Sequence, residues 1–231
     1  MELFDSEITE VCKLIEALPS KKLCIKSNSL ENTKNNMVFS NESAYELGGG
    51  FHESLSYELA SSSLLDDHDE LILIGKDLNE LTSDTTFARI TLLKVKDEKL
   101  EGSAMYERLE KIKLTKYRVS PNGYMLRTAT GNKEKVRVSK EFKDKYTFSD
   151  VGSSYIHAYK MLPFVISVKE IFITGDYPCF KRLKEIGTEK KEITDTLDHM
   201  LKGLVLNDCG SCSVKELCDK VEGLREIHKS L

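Results

Sequence analysis

The stretch from Phe164 to Thr174 constrains the fold most. It reads Phe-Val-Ile-Ser-Val-Lys-Glu-Ile-Phe-Ile-Thr. It is rich in β-branched and aromatic residues, has the length of a strand, and belongs inside a sheet. Three shorter apolar runs resemble it: Leu55 to Ala60, Leu71 to Ile74 with Gly75 as a stop, and Ala88 to Val95. Tyr124 to Thr128 and Lys135 to Val138 predict a hairpin around Gly131-Asn132, entered through the turn Pro121-Asn122-Gly123.

Helical patterns lie between these runs. Ile8, Val11, Cys12, Ile15 and Leu18 recur at helical spacing, with Asp5 or Ser6 as cap and Pro19 as terminator. Further helices are expected over Tyr106 to Lys116, after a Ser139 cap, over Val151 to Leu162, over Tyr177 to Ile186 and over Glu192 to Leu206. Strands and helices mix without a strict β-α-β rhythm. The expected fold is therefore α+β, a mixed β-sheet with packed helices and a helical, cysteine-bearing C-terminal tail. The spacing divides the chain into a body over residues 1–190 and a tail over 191–231.

The chain has 231 residues, with 34 Lys plus Arg against 38 Asp plus Glu, a net charge of −4. Nucleic-acid binders that track phosphates are normally basic, so no nucleic acid is expected as a partner. The N-terminus, Met-Glu-Leu-Phe-Asp, lacks the basic segment of a signal peptide. No apolar run approaches the roughly 18 residues of a membrane span. A soluble, cytoplasmic protein is expected, without a membrane partner. Thiols in that compartment stay reduced, which favours metal ligation over disulfides where cysteines cluster.

Three of the six Cys cluster: Cys209, Cys212 and Cys218 form C-x2-C-x5-C. Gly210 lets the chain turn so that the first two thiols face one centre. Ser213 and Glu216 form a capping box that opens a helix carrying Cys218 on its inner side. Thiols just before a helix N-terminus are acidified, which suits metal ligation. A [4Fe–4S] cluster is the favoured occupant. Zinc is the alternative, and free thiols or an oxidised pair remain open. Cys179 is the leading candidate for the fourth ligand, with Asp208, His199 and His228 behind it. Cys12 and Cys24 read as packing residues, Cys24 in a strand or the core.

Two other motifs read as structural. Gly48-Gly49-Gly50 lacks the Lys-Ser/Thr of a phosphate loop and predicts a tight turn. Ser153, Ser154 and His157 lack a Gly-x-Ser-x-Gly elbow, so a Ser/His hydrolase is not expected.

The middle of the chain resembles a known family. Glu46-Leu47-Gly48-Gly49-Gly50 followed by Tyr57-Glu58-Leu59, the acidic turn and strand from Asp66 to Leu81, and Val136-Arg137-Val138-Ser139-Lys140 carry the likeness. Gly152, Ile156-His157-Ala158 and Val168 to Thr174 extend it. In this order they resemble the acetyl-CoA synthase β subunit of the carbon monoxide dehydrogenase/acetyl-CoA synthase complex, over about residues 45 to 187. The resemblance implies an α+β domain beside an iron–sulfur site, in anaerobic one-carbon metabolism. It implies coenzyme A as a ligand, for which Arg127, Lys135, Arg137 and Lys140 are the candidate residues. It implies other subunits of such a complex as partners. Any enzymatic activity would be a CO-methylating acetyl-CoA synthase-type acyl transfer within the complex. The family's Cys-Gly-Cys nickel element does not occur in the sequence, so no nickel ligands are assigned. The alternative expectation is a non-catalytic protein-binding module, its cysteines holding a structural zinc or remaining free.

Overall fold

The structure, a computed structural model, describes residues 2–34, 36–39, 43–98 and 102–201. Its helices are α1 (Asp5–Glu16), α2 (Gly102–Thr115), α3 (Lys140–Lys145), α4 (Phe148–Lys160) and α5 (Phe180–Leu201). Its strands are β1 (Ser20–Lys22), β2 (Ala44–Leu47), β3 (Ser54–Ser61), β4 (Glu70–Ile74), β5 (Phe87–Val95), β6 (Tyr124–Thr130), β7 (Lys133–Ser139) and β8 (Val165–Thr174). The fold is α+β, as the sequence pattern predicts.

The strands form two sheets. The larger has the order β1-β4-β8-β5-β3, and the smaller the order β2-β7-β6. In the larger sheet β4 runs parallel to β8 and β3 parallel to β5, while β5 and β8 are antiparallel. The long apolar strand β8 thus lies at the centre, where both its faces and both its edges are covered. Gly75 ends β4 with φ +95°, and a Cβ there would meet the Thr174 carbonyl oxygen at 2.0 Å. That close approach lets the β4 exit cross the end of β8.

Alternation along the strands gives the larger sheet two unlike faces. The back face carries Leu55, Tyr57, Leu59, Ile72, Ile74, Ala88, Ile90, Leu92, Ile171 and Ile173, all buried. Helix α1 presents Ile8, Val11 and Ile15 to it, and α5 adds Phe180, Leu183 and Ile186. The front face carries Phe87 and Phe172, but also Ser56, Glu58, Arg89, Thr91 and Glu170. Helix α4 and the smaller sheet cover that face. Gly152 brings α4 close, because a Cβ there would lie 2.4 Å from Leu71 Cδ1 and 3.0 Å from Phe172. Phe148 stacks on Phe172 at a centroid separation of 4.5 Å.

Several local expectations change. Helix α1 begins at Asp5, but Phe4 is its N-cap and makes no side-chain cap bond. Cys24 is exposed and lies beyond β1, outside the core. The two helices expected around Tyr177 to Leu206 are one continuous α5 over the described residues, running through Gly187 and across residue 190. Ile193 and Leu197 are buried, so this helix keeps packing past Gly187. Ser153 and Ser154 accept hydrogen bonds from the backbone N–H of Lys26 (2.8 Å) and Leu30 (2.9 Å), pinning the long loop after β1. Their hydroxyls are structural. Among the described residues no helix is long and apolar enough to cross a membrane.

Candidate functional site

The residues expected to bind an anionic ligand lie on and around the smaller sheet. Alternation on β7 puts Lys135 and Arg137 on the outer face, and β2 adds Glu46 opposite Arg137. Arg137 Nε donates to Glu46 Oε1 at 2.5 Å, and Arg127 Nη1 donates to the same oxygen at 3.0 Å. Arg137 Nη1 donates to the Val38 carbonyl at 2.8 Å. Lys140 and Lys143 sit near the Tyr45 ring, 5.5 and 6.0 Å from its centroid. The structure therefore brings Arg127 and Arg137 together on Glu46 at the outer face, while Lys140 lies by Tyr45, which the register opposite Val138 turns to the other face of β2. Arg137 is nearly buried, with its guanidinium engaged by Glu46 and Val38. Arg127 keeps 41% of its side chain exposed, so it is the more available guanidinium.

A strap over residues 36–39 crosses this outer face. Asn36 Nδ2 donates to the carbonyls of Pro121 (2.6 Å) and Tyr124 (2.5 Å), while its Oδ1 accepts from Gly123 N–H. Val38 is buried, whereas Met37 and Phe39 are about 70% exposed. Hollows flank the strap. One, of about 360 Å³, is lined by Met37, Phe39, Ser139, Phe142, Lys145 and Tyr146 among others. Another, of about 230 Å³, is lined by Asn36, Tyr117, Met125 and Arg127 among others. The exposed lining of both hollows is more polar than apolar, and a guanidinium beside such a hollow suits a polar anion.

Beneath the smaller sheet lies a buried cluster that the sequence expectations missed. Arg89, wholly buried on β5, donates from Nε and Nη2 to Glu134 Oε1 and Oε2, both at 2.8 Å. Nη2 also reaches Ser56 Oγ at 3.0 Å and Glu58 Oε1 at 3.2 Å. Nη1 donates to Thr91 Oγ1 at 2.9 Å and to Glu170 Oε1 at 3.3 Å. The Tyr155 ring of α4 covers the guanidinium, with its centroid 4.4 Å from Cζ. Lys116 Nζ lies 3.5 Å from Glu58 Oε1. This cluster ties Glu134 of the smaller sheet to the centre of the larger one, and so sets where the outer basic face stands. Its signal in the sequence was a charge inside each of three largely apolar strands: Glu58 in β3, Arg89 in β5 and Glu170, next to Lys169, in β8.

Burial alone would raise the Glu58 carboxyl, yet Lys116 and Arg89 outweigh it and hold the group below its ordinary range. Glu170 has less compensation, and burial pushes its carboxyl up to about 7. Burial also raises the Tyr124, Tyr155 and Tyr159 hydroxyls. These phenols stay neutral and serve as packing around the cluster.

No family model matches the chain, and no curated protein matches it significantly.

The cysteine expectations divide. Cys209, Cys212 and Cys218 lie outside the described residues. Cys179 is described: it precedes α5, half-buried, and its carbonyl accepts from Leu183 N–H at 2.9 Å. Burial raises its thiol, which opposes the thiolate form a metal ligand requires. Among the described residues no group of three His, Cys, Asp or Glu could hold a metal. The described residues therefore do not by themselves fit an iron–sulfur or zinc centre. Cys12 packs against the core, and burial raises its thiol too.

Proposed function

We propose that this chain is an acetyl-CoA-synthase-like protein of anaerobic one-carbon metabolism. In this reading it is an accessory or partial paralogue that binds coenzyme A on the outer face of its smaller sheet. The observation that carries the reading is the meeting of Arg127 and Arg137 on Glu46 at that face, with Arg127 in the wall of the hollow of about 230 Å³. Guanidinium groups receive phosphates. The iron–sulfur cluster on Cys209, Cys212 and Cys218 is proposed from their sequence spacing alone. Partner subunits of a carbon monoxide dehydrogenase/acetyl-CoA synthase-type complex, and cytoplasmic residence, belong to the same proposal.

Calorimetric titration of the anaerobically purified full chain with coenzyme A tests the ligand. Binding should weaken about tenfold in Arg127→Ala, and it should weaken with added salt. Absence of binding heat in the unaltered protein ends the coenzyme A reading. Iron, acid-labile sulfide and zinc analysis of the same sample tests the cysteine tail. A second reading, a non-catalytic protein-binding module, is favoured by the exposed Met37 and Phe39 on the strap. One zinc per chain, with no coenzyme A binding, selects it.

A further inference from the structure

Three carboxylates, Glu58, Glu134 and Glu170, converge on one guanidinium inside the protein. Their compensation is unequal. Glu134 takes the two-point contact with Arg89 at 2.8 Å on each arm. Glu58 has Arg89 at 3.2 Å and Lys116 at 3.5 Å, and Lys190 of α5 acts on it as well. Glu170 has only the long contact from Arg89 Nη1, 3.3 Å, and the hydroxyl of Thr91, which donates to its Oε2 at 2.8 Å. The other groups around the cluster are the neutral phenols of Tyr155 and Tyr159 on α4 and of Tyr124 on β6. Leu71 is the β4 neighbour of Glu170. Glu134 takes the two-point contact of Arg89, and Lys116 and Lys190 stand on the Glu58 side, so among the described residues Glu170 has no cation besides the shared Arg89. A buried charge in that position takes a proton instead.

We propose that Glu170 holds a proton in the folded protein, and that this proton is a pH-sensitive latch between the two sheets. With the carboxyl neutral, Arg89 is left to Glu134, the residue that fastens the smaller sheet to the larger. Once Glu170 ionises, two carboxylates compete for the same guanidinium and the β7 attachment weakens.

The sign follows from burial. The carboxyl stands at about 7 in the folded chain against 4.5 for a free glutamic acid. The neutral form is the one the fold accommodates, so stability is fully present below 4.5 and is lost as the pH rises through about 7. Refolding the full chain midway between those values should take up close to one more proton in the unaltered protein than in Glu170→Gln. The unfolding midpoint should fall by a few degrees across the same interval in the unaltered protein and stay level in Glu170→Gln. Amide exchange in β6 and β7, corrected for intrinsic rate, should quicken above that interval in the unaltered protein alone. Equal proton uptake in the two proteins, or equal exchange, overturns the latch. Infrared spectroscopy of the unaltered protein guards against a variant that fails to fold. The carbonyl stretch of a buried carboxylic acid should be present on the acid side and vanish on the alkaline side. Its absence on the acid side overturns the proposal whatever the variant does.

Discussion

The two faces of the larger sheet are built differently. The middle of the back face is aliphatic, with one tyrosine, and is held by α1 and α5, while Glu70, Lys94 and Lys169 lie partly exposed at one end of it. The front face has an arginine, three glutamates and a lysine at its heart, ringed by Phe87, Phe148 and Phe172. Apolar area stabilises without direction, so the back face tolerates small shifts of helix against sheet. The charge cluster is directional. Arg89 must meet Glu134, Glu58 and Glu170 at fixed distances, and a register slip of one residue on β3 or β8 would turn a carboxylate to the wrong face. The comparison suggests a division of labour: the back face supplies burial, and the front face fixes how the smaller sheet sits on the larger. Buried ionic groups often add little net stability, so their contribution here is read as specification of geometry.

The largest expected effect comes from breaking the front face at its centre. Arg89→Met leaves Glu134 buried without its cation and should cost about 3–5 kcal/mol by denaturant unfolding. Its neighbour on the back face, Ile90→Val, should cost about 1 kcal/mol. If the two costs are equal, the division of labour is wrong. Next comes the approach of α4. Gly152→Ala drives a methyl into Leu71 and Phe172 and should cost about 1–3 kcal/mol, read from the same unfolding curve. The smallest effect belongs to the back-face helices. Arg182 of α5 clasps Glu10 of α1 at 2.6 Å on both arms, but both side chains remain more than a third exposed. Glu10→Gln should therefore change stability by less than about 1 kcal/mol, and by less again in high salt.

The fold was legible where one physical rule dominated. Phe164 to Thr174 is a buried central strand because its composition permits nothing else, and Gly131-Asn132 turns the hairpin that its flanks predict. Ser139 caps α3 through its hydroxyl, which accepts from Phe142 N–H at 3.1 Å. Legibility failed where tertiary contact overrode the local signal. Two helices were expected, over Tyr177 to Ile186 and Glu192 to Leu206, yet α5 is continuous through Gly187, where Tyr57 and Asn132 lie too close for a side chain. Strand β2 is short and half-polar, and it is a strand because β7 pairs with it. The candidate ligand residues were half legible. Their basic character showed in the sequence, but Glu46, which draws Arg127 and Arg137 together, lies more than 80 residues before either. The charged cluster was least legible of all. Glu134 sits among lysines and Glu170 beside Lys169, so nothing local marks them, and only the three-dimensional pairing shows that the members belong together.

That pairing also orders events in time. The acceptors of Arg89 lie 31 residues before it on β3, and 45 and 81 residues after it on β7 and β8. Contacts between such distant segments carry a loop-closure cost and form slowly. Until Glu170 has left the ribosome, the guanidinium lacks its complete set of acceptors and keeps a claim on water. The aliphatic back face waits longer still, because α5, which covers it, follows Glu170 in the chain. Both faces of the larger sheet are therefore completed only once the C-terminal third of the described chain has been made.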